Sequence, residues 1–238
     1  VDSLLESAIE SSGPLPRAIV APHAGYAYSG PIAAGAFARL RDAAAADIRR
    51  VVVIGPAHRA RLRGMAVPAA DLFATPLGEM PIDHDWAARA GLAASEEAHR
   101  LEHSLEVEIP FLQRLLPGGF ALVPIVVGDA TPIEVGRTLD ALCGDTDTLL
   151  VVSSDLSHYL SYQQARAKDQ QTALMVLDLD AEHLTHDRAC GATPLGGLLW
   201  LARQRGWRGQ LLDLRNSGDT SGDESGGVVG YGAFAFHE

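Results

Sequence analysis

Four runs of consecutive apolar residues do most to limit what this chain can fold into. They are Ile19-Val20-Ala21, Val51-Val52-Val53-Ile54, Phe120–Val127 and Leu149–Val152. A strand half-exposed to water alternates apolar and polar residues, whereas one covered on both faces is apolar throughout. Longer helix-like stretches separate the runs, and that rhythm belongs to an α/β domain. Strands are expected at Arg17–Ala21, Arg50–Ile54, Ala121–Val127, Thr148–Val152, Gln210–Leu214 and Val228–Phe236. Helices are expected at Pro31–Arg41, His84–Ala94, Ser104–Leu115, Pro132–Leu142, Tyr162–Asp178 and Pro194–Arg205. Three of these open with proline, which suits a first helical turn because the missing N–H has no partner there. The turn-rich text between Gly64 and Asp83 reads as a hairpin excursion. Asn216–Gly227, rich in Gly, Ser and Asp, reads as a mobile loop. No repeat, low-complexity tract or linker divides the chain, so residues 1–238 are expected to form one domain. Its fold class is α/β, three layers with a mostly parallel central sheet flanked by helices.

Charge narrows the function classes. Thirty acidic against 19 basic side chains leave a net charge of −11, which repels phosphate backbones and argues against nucleic acid as a partner. No apolar run approaches the roughly 20 residues that span a bilayer, so no membrane partner is expected. Two cysteines, Cys143 and Cys190, cannot staple a chain of this size, and a reducing cytoplasm is the expected location. Lys168 is the single lysine among abundant arginine and alanine, a composition that suggests a bacterial source. The chain opens on Val1 rather than Met, which leaves a removed leader open.

Polar chemistry collects where the strands end. The first runs into Pro22-His23-Ala24-Gly25-Tyr26, the second into Gly55-Pro56-Ala57-His58, and Leu149–Val152 into Ser153-Ser154-Asp155-Leu156-Ser157-His158. Gln210–Leu214 leads to Asn216 and the Gly/Ser/Asp loop. Ligands in open α/β sheets sit outside the carboxyl ends of the strands, so His23, His58 and His158 can converge although far apart in sequence. His84, His99, His183, His186 and His237 lack that setting and read as surface or helix-terminal residues. Cys190 precedes Gly191-Ala192-Thr193-Pro194 at a helix start, a position that favours the thiolate. Cys143 reads as a buried small hydrophobe. In Glu102-His103-Ser104-Leu105-Glu106-Val107-Glu108, Ser104 is expected to cap a helix with acidic residues in its first turn. That leaves His103 as a candidate pocket group. No phosphate-binding, dinucleotide-binding, His-Glu-x-x-His or Gly-x-Ser-x-Gly signature is present.

These segments, together with Cys190-Gly191-Ala192-Thr193-Pro194-Leu195-Gly196, resemble the Memo family, known in bacteria as AmmeMemoRadiSam system protein B. The likeness runs from about Arg17 to the C-terminus, and members usually carry an upstream segment that is absent or shortened here. The resemblance implies a fold like that of class III extradiol ring-cleaving dioxygenases, which hold Fe(II) with two His and one Glu. Carried over by motif, the metal ligands are His23, His58 and Cys190, with Asp155 and His158 on the same pocket wall. Within the matching motifs, Tyr26 and Glu106 are expected to contact substrate. The resemblance also implies a functional link to a radical-SAM protein and an AMMECR-type protein.

A thiolate in place of the carboxylate separates this chain from the dioxygenases, since a soft ligand favours copper(I), zinc or differently tuned iron. Two readings follow. In one, the protein is a metal-dependent oxidoreductase, with Fe(II) expected first and Cu(I) or zinc next. His158 and Asp155 then join the catalytic machinery and His103 orients a small-molecule substrate. In the other, it is a non-catalytic adaptor that binds metal or a peptide in the same cleft. A zinc hydrolase is a third, less favoured reading.

Overall fold

The computed structural model describes residues 1–8, 13–41, 47–116, 118–144 and 147–238. In chain order the elements begin with α1 (Asp2–Ser7), β1 (Ala18–Ala21), α2 (Gly30–Phe37), β2 (Arg50–Pro56), β3 (Met65–Val67), β4 (Leu72–Thr75) and β5 (Gly78–Pro81). Next come α3 (His84–Arg89), β6 (Ala93–Ala94), α4 (Glu96–His99), α5 (Ile109–Leu115), β7 (Ala121–Val127), α6 (Pro132–Leu142) and β8 (Thr148–Ser153). The remainder is β9 (His158–Leu160), α7 (Tyr162–Leu177), α8 (Ala192–Arg205), β10 (Arg208–Asn216), α9 (Ser217–Ser221) and β11 (Val228–His237).

The apolar runs do form the centre of one sheet, ordered β10-β11-β1-β8-β2-β7-β3-β6. Strands β1, β8, β2 and β7 are parallel to one another, with β11 and β3 pairing antiparallel at either side. Residue parity divides the core. Val20, Val52, Ile54 and Val152 face the layer of α6, α7 and α8, while Ile19, Val51, Val53 and Val151 face α2 and α5. Both faces are therefore dry, which is why these strands read as continuous apolar runs. Strand β8 enters between β1 and β2, so the chain reverses its direction across the sheet there. The carboxyl ends of β1, β2 and β8 consequently open on one crevice.

Several expected boundaries move. The helix expected from His84 stops at Arg89, because Gly91 takes a left-handed φ of 74° and the chain turns into β6. The helix expected from Ser104 starts only at Ile109, because the Ser104 hydroxyl donates to Pro56 O instead of capping. The segment expected as a loop after Asn216 contains α9, whose first N–H groups bond to the Asn216 side chain. The excursion between Gly64 and Asp83 holds the β4–β5 hairpin, as its text implies.

Helices α6 and α8 touch through glycine. A Cβ on Gly136 would lie 2.3 Å from the Trp200 ring, and one on Gly197 would lie 2.3 Å from Val135. Gly136→Ala should therefore lower stability by ~1–3 kcal/mol through overpacking. A fall in urea midpoint at constant slope checks this, and an unchanged midpoint counts against the packing argument. Among the described residues no helix is long and apolar enough to cross a membrane.

Candidate metal centre

Three loops leave the crevice end of the sheet, and each is stitched to another. The Asp155 carboxylate accepts the backbone N–H of His23 at 2.8 Å and of Ala24 at 3.3 Å, tying the β8 exit to the β1 exit. Ser154 N donates to Ala21 O, and Cys190 N donates to Asp155 O, which brings the loop before α8 to the same place. Gly55, at the end of β2, lies so close to Ser104 that a Cβ would stand 2.9 Å from its hydroxyl. That contact seats the Glu102–Ser104 turn beneath His58.

The outcome is a cluster of histidines. His23, His58 and His103 each offer a nitrogen within 4.8 Å of the others'. Ring centroids are 5.2 Å apart for His23–His58, 5.7 Å for His23–His103 and 5.1 Å for His58–His103. Cys190 Sγ lies 3.2 Å from His23 Nε2. Donors about 2.0–2.3 Å from a common ion stand within roughly 4 Å of each other, and among the described residues the donors that come near this spacing are the three histidines. Cys190, expected from sequence as the third ligand, approaches His23 but is not part of that group.

Two of the three Nδ1 atoms are hydrogen-bonded to protein. His58 Nδ1 bonds Glu102 Oε1 at 2.9 Å, His103 Nδ1 stands 3.4 Å from the same oxygen, and His23 Nδ1 bonds Ser153 Oγ at 2.8 Å. Glu102 also accepts the backbone N–H groups of His58, His103 and Ser104. One carboxylate thus orients the His58 imidazole, as carboxylates behind metal-ligating histidines do, and anchors the backbone of His103. Burial alone would raise the Glu102 pKa, but the hydrogen bonds from His58 and Ser104 outweigh it and hold the group well below the carboxylate range. Burial, with the nearby His58 and His103, depresses His23 to about 3, so it is neutral at physiological pH. Burial, then the Asp155 charge, pushes the Cys190 thiol up to about 12. The helix start beside Cys190 does not make it a thiolate, contrary to the expectation from sequence, because desolvation dominates.

The cluster lines a cavity of about 690 Å³ whose wall includes Asp155, His158 and Cys190. His158 Nδ1–H donates to Leu156 O at 2.9 Å, so Nε2 is the ring nitrogen left for a ligand in the cavity. His186, read from sequence as a surface residue, lines the cavity as well. Tyr26 and Glu106 are not brought to it. They line a neighbouring cavity of about 460 Å³, and the Tyr26 hydroxyl is spent on Val107 O at 2.7 Å. The sequence reading missed Glu102 and Ser153. Asp155, expected on the pocket wall, is there, and it holds the His23 backbone while Glu102 and Ser153 bond the rings.

Asp155 has a distinct pH signature. Burial raises its pKa from 3.8 to about 6 against the opposing His23 N–H bond. The folded state then binds the proton more tightly than the unfolded one, so this group's contribution to stability falls as pH rises from 3.8 to about 6. Asp155→Asn keeps an oxygen acceptor for both N–H groups but cannot ionise. Its stability relative to wild type should rise across that interval, as read by urea melts at several pH values. A pH-independent difference would contradict it.

The fold and site together define a class: an α/β protein whose parallel-strand ends gather a histidine-rich candidate metal centre. The chain belongs to the Memo-like protein family, whose family model matches residues 1–235. It is 36% identical over 232 residues to a MEMO1 family protein of Methanococcoides burtonii, covering 90% of this chain and 84% of that one. A MEMO1 family protein of Sulfolobus acidocaldarius is 35% identical, with 90% of this chain and 80% of the relative covered. One from Aquifex aeolicus is 35% identical, with 91% and 84% covered. The likeness thus begins upstream of Arg17, where the recognisable motifs start.

Proposed function

We propose that this protein is a metal-dependent oxidoreductase that holds one iron or copper ion through His23, His58 and Cys190, with His103 beside them. The observation that carries this reading is the meeting of three imidazoles from three loops within 4.8 Å, with Nδ1 of His23 and of His58 already hydrogen-bonded. Imidazole tied back through Nδ1 keeps Nε2 as a donor, which is how metal-ligating histidines are held. Imidazole and thiol donors suit iron, copper or zinc and not magnesium or calcium. Bound there, iron or copper would supply the one-electron chemistry that reactions with O₂ require. The chain's own residues supply the remainder. His158, its Nδ1–H committed to Leu156 O, moves a proton through Nε2. Asp155 fixes the His23 loop, and the 690 Å³ cavity has room for a small-molecule substrate.

Anaerobic purification followed by metal analysis and O₂-uptake assays over a catechol panel tests the reading. The expected result is one equivalent of iron or copper and uptake that depends on it. Zinc as the native metal, or no metal at all, would overturn it.

A further inference from the structure

We propose that Glu108 is a buried neutral acid that donates its proton to Ser153 Oγ, and that together they lock His23 as the Nδ1–H tautomer with Nε2 bare. The argument is a count of protons around one oxygen. Ser153 Oγ has three neighbours: Ser104 O at 2.5 Å, His23 Nδ1 at 2.8 Å and Glu108 Oε1 at 2.9 Å. A serine hydroxyl has one hydrogen to donate and two lone pairs to accept with. Ser104 O is a carbonyl and can only accept, so the hydroxyl hydrogen is committed to it. The other two neighbours must then be donors. For His23 that means Nδ1–H, which leaves Nε2 as the unprotonated nitrogen facing Cys190 Sγ at 3.2 Å. For Glu108 it means a carboxylic acid with its proton on Oε1.

The surroundings of Glu108 agree with the count. The residue is fully buried, and Oε2 has no hydrogen-bond partner among the described residues. A carboxylate with one bare oxygen in a dry interior is costly, whereas an acid pairs its hydroxyl and leaves only a carbonyl oxygen unpaired. Burial, and then the neighbouring Asp155 charge, raise its pKa well above the carboxylate range, which keeps the proton that Glu108 donates to Ser153. Six positions earlier Glu102 is held in the opposite state, ionised by the N–H groups it accepts. One turn of chain therefore places an anion behind His58 and a neutral acid behind His23. The anion makes His58 the more basic donor, while the Glu108–Ser153 pair sets only the direction of the His23 lone pair.

The metal half of the test rests on His23 being a ligand, but the tautomer half does not. In ¹⁵N-imidazole NMR of wild-type protein, His23 should carry its proton on Nδ1. Ser153→Ala should release the ring to a mixed tautomer and weaken Zn(II) and Co(II) binding about 10- to 100-fold. Glu108→Leu should act in the same direction more weakly, and Glu108→Gln, whose amide N–H can donate to Ser153, should restore the wild-type tautomer. The infrared difference between wild type and Glu108→Gln at neutral pH should show loss of a protonated carboxyl band. Loss of carboxylate bands instead, or His23 protonated on Nε2 in the wild type, overturns the proposal. A changed tautomer in Ser153→Ala with unchanged metal affinity supports the lock and removes His23 from the ligand set.

Discussion

Glu102→Gln is expected to weaken metal binding about 10- to 100-fold, because this one side chain orients the His58 ring and holds the backbone of His103. The two carboxylate oxygens accept from His58 Nδ1 and from three backbone N–H groups. Glutamine offers one oxygen, and its NH₂ group must then face N–H donors. At least one donor loses its partner, at a cost of ~1–3 kcal/mol, so stability should fall along with affinity. Part of that stability is linked to pH. The depressed pKa means that the Glu102 contribution is fully present above 4.5 and is lost as pH falls through the folded-state value. The stability difference between wild type and Glu102→Gln should therefore narrow in strong acid. Asp155→Asn is the control, since its backbone N–H bonds survive the change and neither imidazole leans on it. Calorimetric metal titrations and urea melts of both variants decide. Equal metal affinities for the two would remove Glu102 from its orienting role.

That contrast also marks where the sequence stops being legible. Burial on both faces imposes composition directly, so Val51–Ile54 and Leu149–Val152 announced a covered sheet before any partner was known. Strand ends are equally local, and His23 and His58 stand out because each follows such a run through a proline. Hydrogen-bond partners across loops are not local. Glu102 meets His58 across 44 positions, and Ser153 meets His23 across 130. Nothing beside Ser153 distinguishes it from Ser154. Glu102 carried one faint signal, a carboxylate directly ahead of a His-Ser pair whose backbone N–H groups need acceptors in a turn. Ser104 shows the same ambiguity from the other side. Its hydroxyl could cap a helix or reach across to Pro56, and only the approach of Gly55 decides between them. Tyr26 was misleading for a related reason. It shares a motif with His23, yet its hydroxyl bonds Val107 O and its ring packs on Phe111, which directs it to the adjoining cavity.

Cys190 is where the second large effect is expected. Its thiol is pushed up to about 12 and His23 down to about 3, so at neutral pH the sulfur carries a proton and the imidazole does not. A metal taken up by Cys190 must displace that proton, because the thiolate is the ligand form. Calorimetry in buffers of different ionisation enthalpy should then show about one proton released per metal bound, with none from His23. Cys190→Ser should abolish the release and weaken binding beyond the about 100-fold that an outer partner is worth. Cys143→Ser should leave both unchanged, since Cys143 is buried at the far end of α6, where its sulfur bonds Arg17 and no histidine of the cluster. Cys190→Glu asks a further question, because it supplies the carboxylate of a two-His-one-carboxylate iron face. If the rest of the pocket suits oxygen chemistry, that variant loaded with Fe(II) should consume O₂ with catechol-type compounds. Iron bound without uptake across the panel would count against latent ring cleavage. The wild type contains its own competing ligand set, the triad His23, His58 and His103. Metal binding with no proton release, and with Cys190 still open to thiol reagents, would assign the ion to that triad and leave the cysteine as a neighbour.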